Sequence, residues 1–377
     1  MTAVGFSWML GRPFWDELAL LQQTERSPEE LAKLRRERLR SVLRAAGWRE
    51  GEGDPEEALK IFEPADRRRL GPGLAWRRRT SGSSGNAVEV SVGRATYARV
   101  LAGFWRGMAW WGVRPGEPGL ALLGAGGSPV RRRLLRAKDR ALGVHRVLVE
   151  DDEAWVTEAR ESLRRRAYAY VYGYPSALYE LALTGSRPHR PPRVVVTTGE
   201  PLFAFQRRAI EEAFGSRVAE EFGCTELGTV AFQCPAGSLH LAAEQVWLEQ
   251  VDRRTLATSL LPRAVPVVRY RLDEPVAEEG GPCPCGLALP RAVLLRRRAD
   301  AWQRFEEAAW QAATRVGLPT RFTVDLHGQA VRVPAGTPAA QTRLLATALG
   351  PGAGVEQTDH LPRRAAGKFS YLEGARE

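Results

Sequence analysis

Val194-Val195-Val196-Thr197-Thr198-Gly199-Glu200-Pro201 is a run of β-branched residues that stops on a glycine-led turn. Five such residues in a row read as a buried strand, and Gly-Glu-Pro cannot continue it. The pattern then predicts a helix from about Phe203 to Phe214 and a strand from Arg217 to Phe222. Strand, turn, helix, strand is the order of an α/β protein. Upstream, from about Leu101 to Gly185, helices alternate with short apolar strands such as Leu120–Leu123 and Val147–Val149. Downstream, Ser238 to Thr258 turns β-rich, with Leu239, Leu241, Val246, Leu248 and Val251. After Arg298 a small α/β unit is expected. It would have a helix over Ala301–Val316, strands at Arg321–Leu326 and Ala330–Val333, a helix over Pro338–Leu349 and a polar tail containing Lys368. Near the start, Ser27 is placed to cap a helix, with Pro28 in its first turn and Glu30 closing a capping box. Leu31, Leu34, Leu39, Val42 and Leu43 form its apolar side, and the helix should stop near Gly47.

At 377 residues the chain exceeds a usual single core, so at least two domains are expected. A hydrophobic share of 44% and a charged share of 26% describe an ordinary soluble protein. No apolar run is long enough to span a bilayer, and Met1 to Pro13 lacks a basic segment followed by an apolar one. A cytoplasmic location without membrane attachment is the expectation. The net charge is +11, with arginine triplets at 67–69, 77–79, 131–133, 164–166 and 296–298. Scattered triplets without interleaved aromatics favour solvated helix faces over a nucleic-acid platform. No nucleic acid partner is therefore expected.

Four further segments carry chemistry. Thr80-Ser81-Gly82-Ser83-Ser84-Gly85 follows Arg77-Arg78-Arg79 and offers backbone N–H groups and hydroxyls to an anion. The turn Gly199-Glu200-Pro201 comes next, then Phe222-Gly223-Cys224-Thr225-Glu226, then Leu361-Pro362-Arg363-Arg364-Ala365-Ala366-Gly367-Lys368-Phe369. In this order and spacing they resemble the adenylate-forming superfamily of acyl-CoA synthetases, most closely its phenylacetate–CoA ligase-like branch. The resemblance runs from about Gly71 to Lys368 and is strongest between Val194 and Leu289, through Phe222–Glu226, Ser238–Glu249 and Pro266–Leu272.

That resemblance implies a large adenylate-forming domain with mixed sheets over 1–296, and a small mobile α/β domain over 297–377. It implies an acid–thiol ligase. A carboxylate attacks the α-phosphate of ATP to give acyl-AMP and pyrophosphate, and a thiol such as coenzyme A then displaces AMP. Aryl acids are one candidate class. By matching position, Thr80, Ser81, Gly82, Ser83, Ser84 and Gly85 would hold the departing pyrophosphate. Thr225 would contact the α-phosphate, and Glu226 would bind Mg²⁺ as a hard oxygen ligand. Phe222 and Gly223 would lie against adenine, and Gly199 and Glu200 would line the adenine and acyl pocket. Lys368 would bridge carboxylate and α-phosphate as charge develops, with a hinge near Arg298–Asp300.

Three elements depart from the family pattern. Asn86-Ala87 replace the usual proline after the phosphate loop. The ribose-binding element reads Arg269-Tyr270-Arg271-Leu272-Asp273-Glu274, so either Asp273 or Glu274 would hold the ribose hydroxyls. The hinge element, Arg297-Arg298-Ala299-Asp300-Ala301, is half matched. These changes keep a second reading open, a catalytically degenerate nucleotide- or polyanion-binding protein with the same fold.

Three of the four cysteines suggest a separate metal site. Cys234, His240, Cys283 and Cys285 supply three thiols and an imidazole, a full set for closed structural Zn²⁺. The branch often has a comparable set, and the other reading is buried free thiols in a reduced compartment. Cys224 falls inside the nucleotide segment. Trp105, Trp110, Trp111, Tyr172, Tyr174 and Tyr179 are candidates for an aromatic substrate pocket, with core packing as the alternative, and Tyr172-Gly173-Tyr174-Pro175-Ser176 resembles a family segment near the substrate.

Overall fold

The structure, a computed structural model, describes residues 9–49, 53–64, 76–79, 89–125, 128–252, 254–325, 329–347, 349–350, 352–361, 363 and 367–373. The chain forms two compact units, Met1–Glu117 with Ala219–Leu294, and Pro118–Val218 with Leu295–Glu377.

In the first unit Ser27 caps its helix as predicted, but Glu30 does not close a capping box, because Ser27 N donates to the Thr24 carbonyl at 3.1 Å instead. Ser27 Oγ accepts from Glu30 N at 3.3 Å, Pro28 opens the helix Pro28–Ala45, and Gly47 turns the chain at φ +106°. Leu39, Val42 and Leu43 of that helix pack with Trp48, Leu59, Leu260 and Val268 into a small core. The strands Val218–Cys224, Gly228–Gln233, Leu239–Leu241, Arg291–Leu294 and Val276–Glu279 neighbour one another in that order, all antiparallel. Val246–Val251, Arg254–Ser259 and Tyr270–Arg271 make a second antiparallel sheet in the stretch read as β-rich. Trp76–Arg79 pairs antiparallel with Glu89–Val92, and the phosphate-loop positions 80–85 between them lie outside the described residues.

A buried ionic cluster ties this unit's helices to the loop before Val246. The side chains of Arg106 and Glu244 are 2% and 0% exposed and meet at 2.6 Å. The Arg106 guanidinium lies 5.3 Å from the centre of the Trp110 ring, and Trp110 Nε1 donates to Glu25 Oε2 at 2.9 Å. Arg38 grips Glu17 with two bonds of 2.9 and 2.8 Å and donates to the Glu244 carbonyl at 2.8 Å. Desolvation pushes the Glu25 carboxyl up, against the Trp110 hydrogen bond and the Arg106 charge.

The second unit holds the run that opened the sequence reading. Val194–Thr198, Tyr170–Gly173, Gly119–Leu122 and Val144–Val147 form a parallel sheet in that order. The strand expected at Val147–Val149 begins earlier, at Val144, directly after the left-handed Gly143. The helices Pro129–Ala141, Ala154–Arg165 and Pro175–Leu183 connect its strands, and Ala204–Phe214 follows Val194–Thr198. A second sheet runs Gly354–Thr358, Ala330–Pro334, Thr323–Asp325, Leu372–Glu373.

Trp302, Phe305, Phe322, Val331, Phe369 and Tyr371 share one core with side chains between Leu120 and Val218. Phe203 stacks on Trp302 at 5.0 Å and meets Phe305 edge-on at 4.9 Å, while Tyr371 meets Phe322 at 5.0 Å and Phe369 at 4.8 Å. The segment around Lys368 is not the polar tail that the sequence suggests. Phe369 and Tyr371 are 6% and 3% exposed, and Leu372–Glu373 pairs in parallel with Thr323–Asp325. Two aromatic rings two residues apart are enough to draw the segment into the core.

Truncating one partner of the Arg106–Glu244 pair leaves a buried charge. Glu244→Ala is expected to cost about 3–5 kcal/mol in denaturant unfolding, and Arg106→Met with Glu244→Leu to recover most of it. Equal losses in the single and double variants would contradict this role.

Candidate active site and metal cluster

Lys368 is placed by the glycine before it. Gly367 has φ +79°, and a Cβ there would lie 2.4 Å from the Val149 carbonyl oxygen and 3.2 Å from Gly124 Cα. Only glycine allows the chain so close to the ends of the parallel strands. The Lys368 side chain then runs beside the turn that ends Val194–Thr198. A Cβ built on Gly199, itself at φ +74°, would stand 3.2 Å from both Cε and Nζ of Lys368. Nζ lies 5.8 Å from the centre of the Tyr174 ring. Glu200 holds the following residue, its Oε1 accepting from Phe369 N at 2.6 Å. Glu200 also accepts from Ser176 N and Ser176 Oγ, each at 3.1 Å.

Desolvation pushes the Glu200 carboxyl up, opposed by the Arg363 charge and the hydrogen bonds from Phe369 and Ser176. The Tyr174 phenol is pushed up to about 12, first by burial and then by the Glu200 charge. Tyr174 therefore stays neutral near pH 7, and the ring face offered to the ammonium carries no competing charge. The arrangement sets one positive charge beside a strand-end turn, a geometry suited to stabilising negative charge in transfer chemistry.

Thr225 and Glu226 occupy a tight turn in the first unit, between Val218–Cys224 and Gly228–Gln233. The register shifts between Phe222 and Gly223. A Cβ on Gly223 would come within 2.5 Å of the Gly228 carbonyl oxygen, so this hairpin needs its glycine. Glu226 is 5% exposed, and Tyr270 donates to its Oε1 at 2.6 Å. Burial, then the Glu226 charge, pushes the Cys224 thiol up, so Cys224 stays a neutral packing residue.

Among the described residues, the metal-ligating cluster is made of cysteines and histidine, with no cage of carboxylates. A single hard oxygen donor fits Mg²⁺ carried in on phosphates rather than a resident ion. Tyr270 is held by Arg269, whose backbone sits at φ +52°. Arg269 N donates to Thr258 Oγ1 at 3.0 Å, and its Nη1 donates to the carbonyls of Lys60 and Phe62 at 2.9 and 2.8 Å. Of the two ribose candidates, Asp273 is exposed and Glu274 half-buried.

The four metal candidates come together in the first unit. The ligand atoms of Cys234, His240, Cys283 and Cys285 all lie within 4.8 Å of one another. Cys234 and Cys283 sulfurs are 3.8 Å apart, and Cys285 Sγ is 3.2 Å from His240 Nε2. Zn–S bonds of about 2.3 Å in a tetrahedron put sulfurs about 3.8 Å apart. His240 Nδ1 faces the Leu289 carbonyl at 2.9 Å, which can only accept, so Nε2 is left toward the thiols. Burial opposes ionisation of Cys283, yet hydrogen bonds with Ser238 and Cys285 bring its thiol down to about 6.

The aromatic candidates separate. Trp105 and Tyr179 are core residues, each 3% exposed. Trp110 meets the His240 ring edge-on at 5.9 Å, and Trp111 Nε1 donates to the Gln233 carbonyl at 2.8 Å. Tyr172 is half-buried, and Tyr174 lies by Lys368. Sequence reasoning missed Ser176 and Arg363 beside Glu200, and Tyr270 at Glu226. The signal was partial, since Ser176, Arg363 and Tyr270 all fall inside segments quoted for other residues.

The chain has the fold of adenylate-forming enzymes. It is similar to a solved structure of 2-hydroxyisobutyryl-CoA ligase in the postadenylation state in complex with 2-HIB-AMP. The TM-score is 0.61 at 17% identity, covering 94% of this chain and 88% of that chain. The same ligase with R3-HIB-AMP gives a TM-score of 0.57 at 17% identity, covering 92% and 88%. At such identity the likeness is one of fold. No family model matches the sequence, and no curated protein does.

Gly367→Ala should displace the Lys368 segment, since a left-handed alanine alone costs about 1–2 kcal/mol and its Cβ meets a carbonyl. Tryptic cleavage after Lys368 should then accelerate with little change in the global unfolding midpoint. Unchanged cleavage would contradict the close packing at this residue.

Proposed function

We propose that the chain activates a carboxylic acid with ATP, forming acyl-AMP and pyrophosphate, and then transfers the acyl group to a thiol such as coenzyme A. The observation that carries this reading is Lys368, seated directly after the left-handed Gly367 and beside Gly199, with Glu200 bonded to the next residue. In the first step a carboxylate oxygen of the acid bonds to the α-phosphorus while the bond to the pyrophosphate oxygen breaks. The Lys368 ammonium stabilises the charge on carboxylate and α-phosphate as they approach. Thr225 contacts the α-phosphate. Glu226, oriented by Tyr270, is the residue that would hold Mg²⁺, which when bound neutralises phosphate charge.

In the second step the thiol sulfur bonds to the acyl carbon, its proton leaves to solvent, and AMP departs with the bonding electrons. The similar ligase structures carry acyl-AMP, which supports the first product. Residues 80–85 are the pyrophosphate-holding segment in this proposal, Phe222 and Gly223 the adenine neighbours, and Glu274 or Asp273 the ribose ligand. The finer placement, in the phenylacetate–CoA ligase-like branch, rests on the sequence segments alone. So does rotation of a domain 297–377 between the steps. Aryl acids are the substrate class to try first. A binding-only protein is the second reading, favoured by the Asp273 substitution in the ribose element.

The Cys234, His240, Cys283 and Cys285 group is proposed as a closed structural zinc site that staples the hairpin Gly228–Leu241 to the loop before Arg291. It has no open position for chemistry.

Pyrophosphate release should depend on both ATP and one acid class, and Lys368→Ala should lower its kcat about 10³-fold with ATP affinity nearly unchanged. ATP binding without acid-dependent release across aryl, short-chain and long-chain acids would favour the binding-only reading. Metal analysis should find about one zinc per chain, and its removal by chelator should lower the unfolding midpoint. Metal-free protein of unchanged midpoint would sink the zinc assignment.

A further inference from the structure

Arg363 is buried among polar partners, its side chain 1% exposed. Nη1 donates to the Gly367 carbonyl at 2.8 Å and to Ser176 Oγ at 2.7 Å. Nη2 donates to Glu180 Oε1 at 2.5 Å, and the guanidinium carbon lies 5.6 Å from the centre of the Trp155 ring. Ser176 Oγ in turn donates a hydrogen bond to Glu200 Oε1, the oxygen that also accepts from Phe369 N. One guanidinium thus holds the carbonyl just before Lys368 directly, and the N–H just after it through Ser176 and Glu200.

We propose that Arg363 is the positioning residue that fixes the Lys368 backbone for adenylation, acting from both sides of the lysine. The proposal rests on the acid-activating reading of Lys368. A planar fork is needed because the acceptors diverge: a main-chain carbonyl, a hydroxyl and a carboxylate. A lysine presents one ammonium and cannot reproduce that grip.

Several contacts separate positioning from general support of the fold. Removing the Arg363 side chain leaves Glu180 paired with Arg321, at 2.9 and 3.4 Å. Arg321 keeps its bonds to Asp151 and the Leu361 carbonyl, 2.8 and 3.1 Å. His360 Nε2 keeps Asp151 Oδ2 at 2.6 Å, and Arg363 N itself keeps Asp151 Oδ1 at 3.0 Å. Phe369 and Tyr371 stay embedded in the aromatic core. The segment remains attached at both ends, and the loss falls on Gly367, Ser176 and the path to Phe369.

The test measures both half-reactions and Lys368 reactivity in the full-length protein. Arg363→Ala should lower kcat for pyrophosphate release about 100-fold, with the KM for ATP within about threefold, as expected for a group displaced by an ångström. Thioester formation from supplied acyl-AMP should fall by less than about threefold. Arg363→Lys should recover less than about a tenth of the lost rate. Ser176→Ala, which keeps Arg363 and Glu180, should lower the first step in the same direction by less. Modification of Lys368 by an amine-reactive reagent, read by peptide mass spectrometry, should speed up several-fold in Arg363→Ala.

Adenylation at the wild-type rate in Arg363→Ala would overturn the proposal, as would an equal loss in both half-reactions. Should Arg363→Ala fail to fold, Arg363→Lys and Ser176→Ala carry the same comparison. A wild-type protein silent in pyrophosphate release would instead strike at the acid-activating reading. The reagent then still decides positioning, because equal Lys368 modification in wild type and variant would overturn it.

Discussion

The Val149 carbonyl leaves room for nothing larger than hydrogen at Gly367. That steric limit puts the residues after it within hydrogen-bond reach of Glu200 and sets the Lys368 side chain beside Gly199. Both glycines lie in the left-handed region, one at the turn closing a parallel strand and one on a segment some 170 residues downstream. Polar bonds and an aromatic core then do different work. Phe203, Trp302, Phe305, Phe322 and Tyr371 bring the C-terminal segment to residues 118–218, and Arg363, Ser176 and Glu200 set its final few ångströms. Area gives the attachment its strength, and directional bonds give it geometry.

In the first unit the same division holds. The metal-ligating side chains lie on a hairpin and on the loop that precedes a neighbouring strand, with Phe232 opposite His240 and Arg291 opposite His240 on the other side. Glu226 lies at another hairpin turn, positioned by a hydroxyl from the strand Tyr270–Arg271. The left-handed Arg269 is a conformation an arginine rarely takes, and four polar contacts, among them Glu249 at 3.3 Å, hold it there. The polar face of that element is thereby spent on the backbone of residues 60–62. Tyr270 is left to orient the carboxylate.

Much of this was legible in the sequence. The strand Val194–Thr198 and the cap at Ser27 follow from local chemistry, and the structure has both. The four metal candidates also converge as their residue types suggested. The units were less legible. A boundary at 296–297 follows from motif order, whereas the grouping of 118–218 with 295–377 depends on aromatic residues far apart in sequence. Lys368 was legible as a motif, but its surroundings were not. Glu180 and Arg321 belong to no motif, and nothing local signals that they converge with Arg363. The tail was misread because Phe369 and Tyr371 are too few to show periodicity, though each buries a large ring.

In the proposed reaction an acid oxygen bonds to the α-phosphorus of ATP. Acid carrying heavy oxygen in its carboxylate, incubated with ATP, Mg²⁺ and a thiol acceptor, tests that bond directly by mass spectrometry of the products. Heavy oxygen recovered in AMP, and not in pyrophosphate, is the predicted result. AMP formed without the label, or label found in phosphate or pyrophosphate, would contradict acyl-adenylate formation by this chain.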